Sequence, residues 1–260
     1  MNYILNIDSR NIATITLNRP ELHNAFNDEL IEQLINCFND LSKKEEIRIV
    51  ILTGTGKSFC AGADLNWMKR MKDYSIEENL LDSNKLCELF TVINNFNRPV
   101  IARVNGAALG GGAGLLAVSD YVLAVDTAQI GFTECRLGLL PAVISPFVIA
   151  KIGESFARAT FLSGIKFNVQ RAMQIGLVHQ ITSFDKIDED TEEVVKEFLQ
   201  AGPEAQKLCK KLIHEVVSFN STESAREFTC NMISNVRKST EGQEGMSALL
   251  EKRKPNWIKK

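Results

Sequence analysis

Val100–Asp120, VIARVNGAALGGGAGLLAVSD, is the stretch whose reading decides the fold. Pro99 to Val104 is an apolar run that predicts a buried strand. Asn105-Gly106 turns the chain, and Gly110, Gly111, Gly112 and Gly114 open a helix ending near Ser119. Glycines at a helix start leave backbone N–H groups open and let a ligand approach the main chain closely. The partial positive charge of the helix N-terminus favours an anion there, or a group that becomes one. Three readings compete. Gly112-Ala113-Gly114-Leu115-Leu116-Ala117 fits a dinucleotide fingerprint, but the next strand begins too soon and Asp126 falls short of the usual spacing of about 20 residues. Close helix–strand packing explains one or two glycines, not three in a row. An oxyanion hole, in which N–H groups stabilise a developing negative oxygen, needs a second donor and an acid–base group elsewhere.

Working outward, strand–turn–helix units recur on both sides. Tyr3–Ile7 and Ile12–Leu17 alternate around Asp8-Ser9-Arg10-Asn11 as a β-hairpin. Asn27 is placed to cap a helix whose Leu30, Ile31, Leu34, Ile35, Phe38 and Leu41 share one face. Ile47–Thr53 reads as a second buried strand. Gly54-Thr55-Gly56-Lys57-Ser58 is not a phosphate loop, because its first glycine would have to stand at Ile51. Ser58 to Leu65 reads as a small-residue turn into a helix, Tyr74 to Glu78 as a polar mobile linker, and a long helix runs on to about Asn95. Tyr121–Val125 and Ala128–Phe132 are short strands, with Glu134 just past the second. Helices at Phe147–Ile152, Ala157–Leu162 and Arg171–Ile175 and a strand at Val178–Ile181 complete this part. From Asp188 onward strands vanish, and helices follow at Glu192–Gln200, Pro203–Val217, Ser224–Arg237 and Gly242–Lys252. The expected division is an α/β region over 1–190 and a helical region over 191–260.

The chain of 260 residues carries a formal net charge of −2, which lacks the basic excess of a nucleic-acid footprint. No run approaches the 18 apolar residues of a membrane span, so no membrane partner is expected. A strand pattern begins within two residues of Met1 and leaves no room for a targeting peptide, so a cytoplasmic location is expected. The six cysteines show no metal spacing and read as reduced core thiols. His23, His179 and His214 are scattered and read as surface or capping residues. No G-x-S-x-G elbow is present. The turns at Gly62-Ala63 and Gly110-Gly111 each follow a buried strand, where ligands gather in α/β folds. Converging, they would supply two N–H donors to one oxygen, with Glu134 the nearest ionisable candidate beside its alternative as an ordinary surface carboxylate.

The blocks LNRPELHNAF, SFCAGADL, PVIARVNGAALGGG, Ala128–Glu134 with GLLP, and GMSALLEKRKP occur in this order along essentially the whole chain. Together they closely resemble the crotonase (enoyl-CoA hydratase/isomerase) family. The resemblance implies a spiral of ββα units with a C-terminal helical trimerisation region, assembled as a homotrimer or dimer of trimers. It implies an acyl-CoA thioester as ligand, with coenzyme A present only as part of the substrate and no metal or redox cofactor. The family's oxyanion donors fall on the N–H groups of Ala63 and Gly111, and its acid–base glutamate falls on Glu134. Substrate contacts are expected at Ala25, Ala61, Asp64, Leu65, Gly110, Gly114 and Arg136, and at Lys252 in a tail that is otherwise a solvated helix end.

Hydratases with two glutamates carry the other one where this chain has Gly114. The chain therefore resembles the single-glutamate members, either Δ3,Δ2-enoyl-CoA isomerases or the methylglutaconyl-CoA hydratase-like branch. GLLPAVISPFVI and GGGAGL look most like that branch, which implies hydration of 3-methylglutaconyl-CoA or a related branched enoyl-CoA. An isomerase and a non-catalytic acyl-CoA binder are the alternatives. Gly114 is expected to leave room for a branched acyl chain or one more water, and Lys69, Arg70 and Arg136 are the candidates to hold a distal carboxylate.

Overall fold

The computed structural model describes residues 2–258. The first two strands, β1 (Tyr3–Ile7) and β2 (Ile12–Leu17), form the expected antiparallel hairpin. Helix α1 (Asp28–Ser42) is capped by Asn27, whose side chain accepts from Leu30 N–H at 2.9 Å. Its apolar face is fully buried from Leu30 to Leu41, each such side chain contributing about 1.5–3 kcal/mol of burial.

The unit then repeats three times. Strand β3 (Ile49–Gly54) is followed by short β4 (Ser58–Cys60) and helices α2 (Leu65–Met71) and α3 (Ile76–Asn94). Next come β5 (Val100–Val104), β6 (Ala107–Leu109) and α4 (Gly111–Ala117). The third repeat is β7 (Tyr121–Val125), β8 (Gln129–Gly131), a 3-10 turn at Glu134–Leu137 and α5 (Ser145–Ser163). Each long strand joins one sheet and each short strand another. The chain thus spirals as ββα units. The large sheet has the order β1-β2-β3-β5-β7-β10, parallel from β2 onward, where β10 is Gln180–Thr182. The small sheet is β4-β6-β8-β9, with β9 (Lys166–Asn168) antiparallel to β8, and α6 (Val169–Gln174) follows.

Several expectations change in detail. Ser58–Cys60, within the stretch expected as a turn, and Ala107–Leu109, to which no element was assigned, are strands of three residues, too short to show a period. Tyr74–Glu78 is no mobile linker. Ser75 and Glu78 form a reciprocal capping box that starts α3 at Ile76. The two helices expected on either side of residue 153 are both present within α5, separated at Gly153, whose φ of +75° is non-helical. Only Cys37 and Cys60 are core thiols; Cys87, Cys209 and Cys230 are exposed and Cys135 is half-buried. His179 is not a surface residue either. Its Nδ1 accepts from Val122 N–H at 2.9 Å, its ring stacks on Tyr121, and burial, then the Lys151 charge, push it down to about 4.

By spatial contact, one compact unit comprises the chain through Thr191 except Asn97–Pro99. The second comprises Asn97–Pro99 and the chain from Glu192 on. Helix α7 (Ile187–Gln200) passes from one to the other. The second unit holds α8 (Pro203–Val216), α9 (Thr222–Lys238) and α10 (Thr240–Leu250). Glu241 accepts from the N–H groups of Glu204 and Ala205, neutralising the N-terminus of α8. Among the described residues no helix is long and apolar enough to cross a membrane.

Candidate active site

The loop before α1 and the turn after β4 are joined by one parallel bridge, Phe26 to Ala63. Phe26 N–H donates to Gly62 C=O at 2.7 Å, and Asp64 N–H donates to Phe26 C=O at 2.8 Å. In a parallel bridge the neighbours of the paired residue make the bonds, so Ala63 N–H points to the other side. There it has no protein acceptor among the described residues. Gly111 opens α4, and a first-turn N–H has no acceptor within its own helix.

The two turns meet. A Cβ on Gly110 would stand 3.8 Å from Gly62 Cα and 3.2 Å from Glu134 Oε1. Gly110 also has a φ of +52°, so this close approach of two loops and a carboxylate requires glycine. Glu134 starts the 3-10 turn after β8, half-buried, and its Oε2 is buried with no hydrogen-bond partner. Burial raises its carboxyl above the ordinary glutamate value, as suits a group that exchanges protons near neutrality.

All of these border one cavity of about 390 Å³. Of the residues expected in the site, Ala61, Ala63, Leu65, Gly110, Gly111 and Glu134 line it. Phe26, Trp67, Met68, Met71, Leu86 and the segment Leu137–Ile144 (except Gly138) supply most of the rest, a largely apolar wall. Trp67 and Met71 stand four residues apart on α2 and Leu86 stands on α3, and none of them was singled out from the sequence. Asp82 and Ser83 of α3 also line the cavity, and nothing in the sequence singled them out.

Five expected residues lie outside the lining. Asp64 is buried and accepts from Asn66 N–H at 2.7 Å as the cap of α2. Its other oxygen meets Arg19 Nη2 at 2.6 Å. Burial would raise its carboxyl, but the Arg19 bond and the Asn66 N–H outweigh it and hold it below the usual range. Ala25 is buried and gives its C=O to Arg19 Nη1. Arg136 donates to Ser163 C=O at 3.3 Å, and its chain packs over Gly164. Gly114 leaves no room for a branched chain or a water. A Cβ there would lie 2.5 Å from Ile144 Cγ2 and 3.0 Å from Phe90 Cε1, so Ile144 of the cavity wall and the buried Phe90 ring fill that space. Lys252 is exposed just past α10 in the second unit, while neighbouring Arg253 is committed to Glu244 and Glu251.

Arg19 thus ties the Ala25–Phe26 loop segment to the Gly62–Asp64 turn that presents Ala63. Arg19→Ala leaves the Asp64 carboxylate, 5% exposed, without its cation. Breaking such a pair costs about 3–5 kcal/mol. Denaturant unfolding is expected to show a loss of that size. Adding Asp64→Asn, which keeps the cap, should recover part of it, whereas strictly additive losses would show that the two do not act as a pair.

Comparison with known proteins agrees with this arrangement. A sequence model of enoyl-CoA hydratase/isomerase matches residues 8–260. The 2,3-dehydroadipyl-CoA hydratase of Escherichia coli is 31% identical, over 95% of this chain and 94% of its own length. An enoyl-CoA hydratase from Shewanella pealeana superposes with a TM-score of 0.95 at 33% identity, covering 99% of this chain and 96% of that one. Pseudomonas aeruginosa AtuE does so with a TM-score of 0.95 at 30% identity, covering 100% of each chain. The spiral of ββα units and the match along nearly its full length place this chain in the enoyl-CoA hydratase/isomerase (crotonase) family.

Proposed function

We propose that the protein hydrates a branched 2-enoyl-CoA, a class that includes the 3-methylglutaconyl ester. The observation that carries this reading is that two residues whose N–H groups have no backbone acceptor, and a carboxylate with one buried, unpartnered oxygen, line a single largely apolar cavity. Ala63 and Gly111 N–H would hold the thioester oxygen as it becomes an enolate oxygen. Glu134 would take a proton from water as the water oxygen bonds to C3, then return that proton to C2. No metal or redox cofactor enters this scheme, since water and the thioester supply every atom.

Gly114 favours one further reading. With Ile144 packed where its side chain would go, there is no second carboxylate at that position. An isomerase, which moves one proton between C2 and C4, needs only Glu134. The names of the relatives weigh toward hydration. Assay of straight, branched and carboxylated enoyl-CoA esters for both hydration and double-bond migration separates the two. Hydration of a branched 2-enoyl ester at the highest kcat/KM is expected. Migration without water addition would assign the isomerase, and no turnover of any ester would leave an acyl-CoA binder.

A homotrimer or dimer of trimers is part of the proposal. It is supported by exposed apolar side chains in the helical unit, among them Ile213, Val217, Leu249 and Leu250.

A further inference from the structure

Within the cavity wall, Asp82 is the one charged side chain besides Glu134. It sits on α3 among Trp67, Met68, Met71 and Leu86, the apolar part of the wall suited to the hydrocarbon end of an acyl group. Buried Trp67 donates its indole N–H to Asp82 Oδ1 at 3.2 Å, which holds the carboxylate in place. No cation compensates it from within. Arg70, whose charge acts on Asp82, is bonded to Asp28 at 2.7 Å, and Asp28 acts on Asp82 as well, so the three charges together remain net negative. Lys69, Arg70 and Arg136, the residues that could have received a distal carboxylate, do not line the cavity.

We propose that Asp82 is a specificity-determining residue that excludes acyl chains bearing a distal carboxylate, so that the protein takes an uncharged branched acyl-CoA. This rests on the reading of the cavity as an acyl-CoA site. It narrows the substrate away from the 3-methylglutaconyl ester and from the dicarboxylic chain in the name of the Escherichia coli relative. The physical cause is like charge at short range in an apolar wall, where such a juxtaposition costs several kcal/mol. A tenfold preference, about 1.4 kcal/mol, is therefore a low bound.

The test uses two unreactive saturated esters, isovaleryl-CoA and 3-methylglutaryl-CoA, titrated calorimetrically into the full-length protein at pH 8. The pair shares its CoA and its branch and differs at the far end by the carboxylate. Wild-type protein is expected to bind the isovaleryl ester at least tenfold more tightly. In Asp82→Asn, which keeps an oxygen for Trp67, that ratio should fall at least fivefold. Asp82→Ser gives the same comparison without an amide. Equal wild-type affinities, or a ratio unchanged in both folded variants, would overturn the proposal. Binding of neither ester would instead overturn the acyl-CoA reading, and binding without turnover of the matching enoyl esters would overturn only the reaction.

Discussion

Glu134→Gln is expected to bind CoA esters, to turn them over at least about 100-fold more slowly, and to be more stable than the wild type at neutral pH. The first effect follows from removing the proton carrier, and 100-fold is the lower end for a positioned general acid–base group. The second follows from the same burial that prepares it. Glu134 Oε2 has no partner, and burial raises its carboxyl above 4.5. A group whose pKa is raised by folding stabilises the fold below its unfolded pKa, and this contribution is lost as pH rises through the folded pKa. The wild type should therefore lose stability relative to the glutamine variant as pH rises from 4 to 8, with the two converging at the acid end. In wild-type kcat/KM the activity should fall on one acidic limb lying above 4.5, because the ionised carboxylate must accept the proton from water. Thermal melts and rate profiles across this range check both. A variant keeping half its activity, or a stability gap indifferent to pH, would remove Glu134 from the role.

Ala63→Pro is expected to lower turnover at saturating substrate by about 100- to 1,000-fold, the loss seen when one oxyanion donor is removed. The bridge to Phe26 is made by Gly62 C=O and Asp64 N–H, so the substitution deletes an N–H that no protein group uses. A substitution at Gly111 is a poorer probe, since a Cβ there would come within 3.0 Å of the Phe26 ring. Circular dichroism and affinity for a saturated CoA ester serve as the controls. A folded, ligand-binding Ala63→Pro protein with wild-type rates would show that this N–H does not hold the reacting oxygen.

Both experiments concern residues legible in the amino-acid sequence. Buried strands announce themselves as continuous apolar runs, as at Ile47–Thr53 and Pro99–Val104. Helix α1 shows its face through a 3.6-residue period, and the glycines at 110–112 mark a backbone approached closely. These are local signals, set by side chains within a few positions of one another. They sufficed for the alternation of strands and helices and for the turns at Gly62-Ala63 and Gly110-Gly111 and Glu134 as candidates, while the resemblance of the ordered blocks to the crotonase family singled out Ala63 and Gly111 as the donors.

Contacts between distant segments decided the rest. Asp64 reads like a site residue in SFCAGADL, yet it caps α2 and pairs with Arg19, 45 positions away. Gly114 reads as vacated space until Ile144, from a loop 30 residues on, is seen to fill it. Asp82 looks like any polar position on a solvated helix, and only the fold turns it toward Trp67 and into the cavity wall. A side chain's type and spacing are written in the chain, but its neighbours, and with them its burial and charge balance, are set by packing between elements that no local pattern encodes.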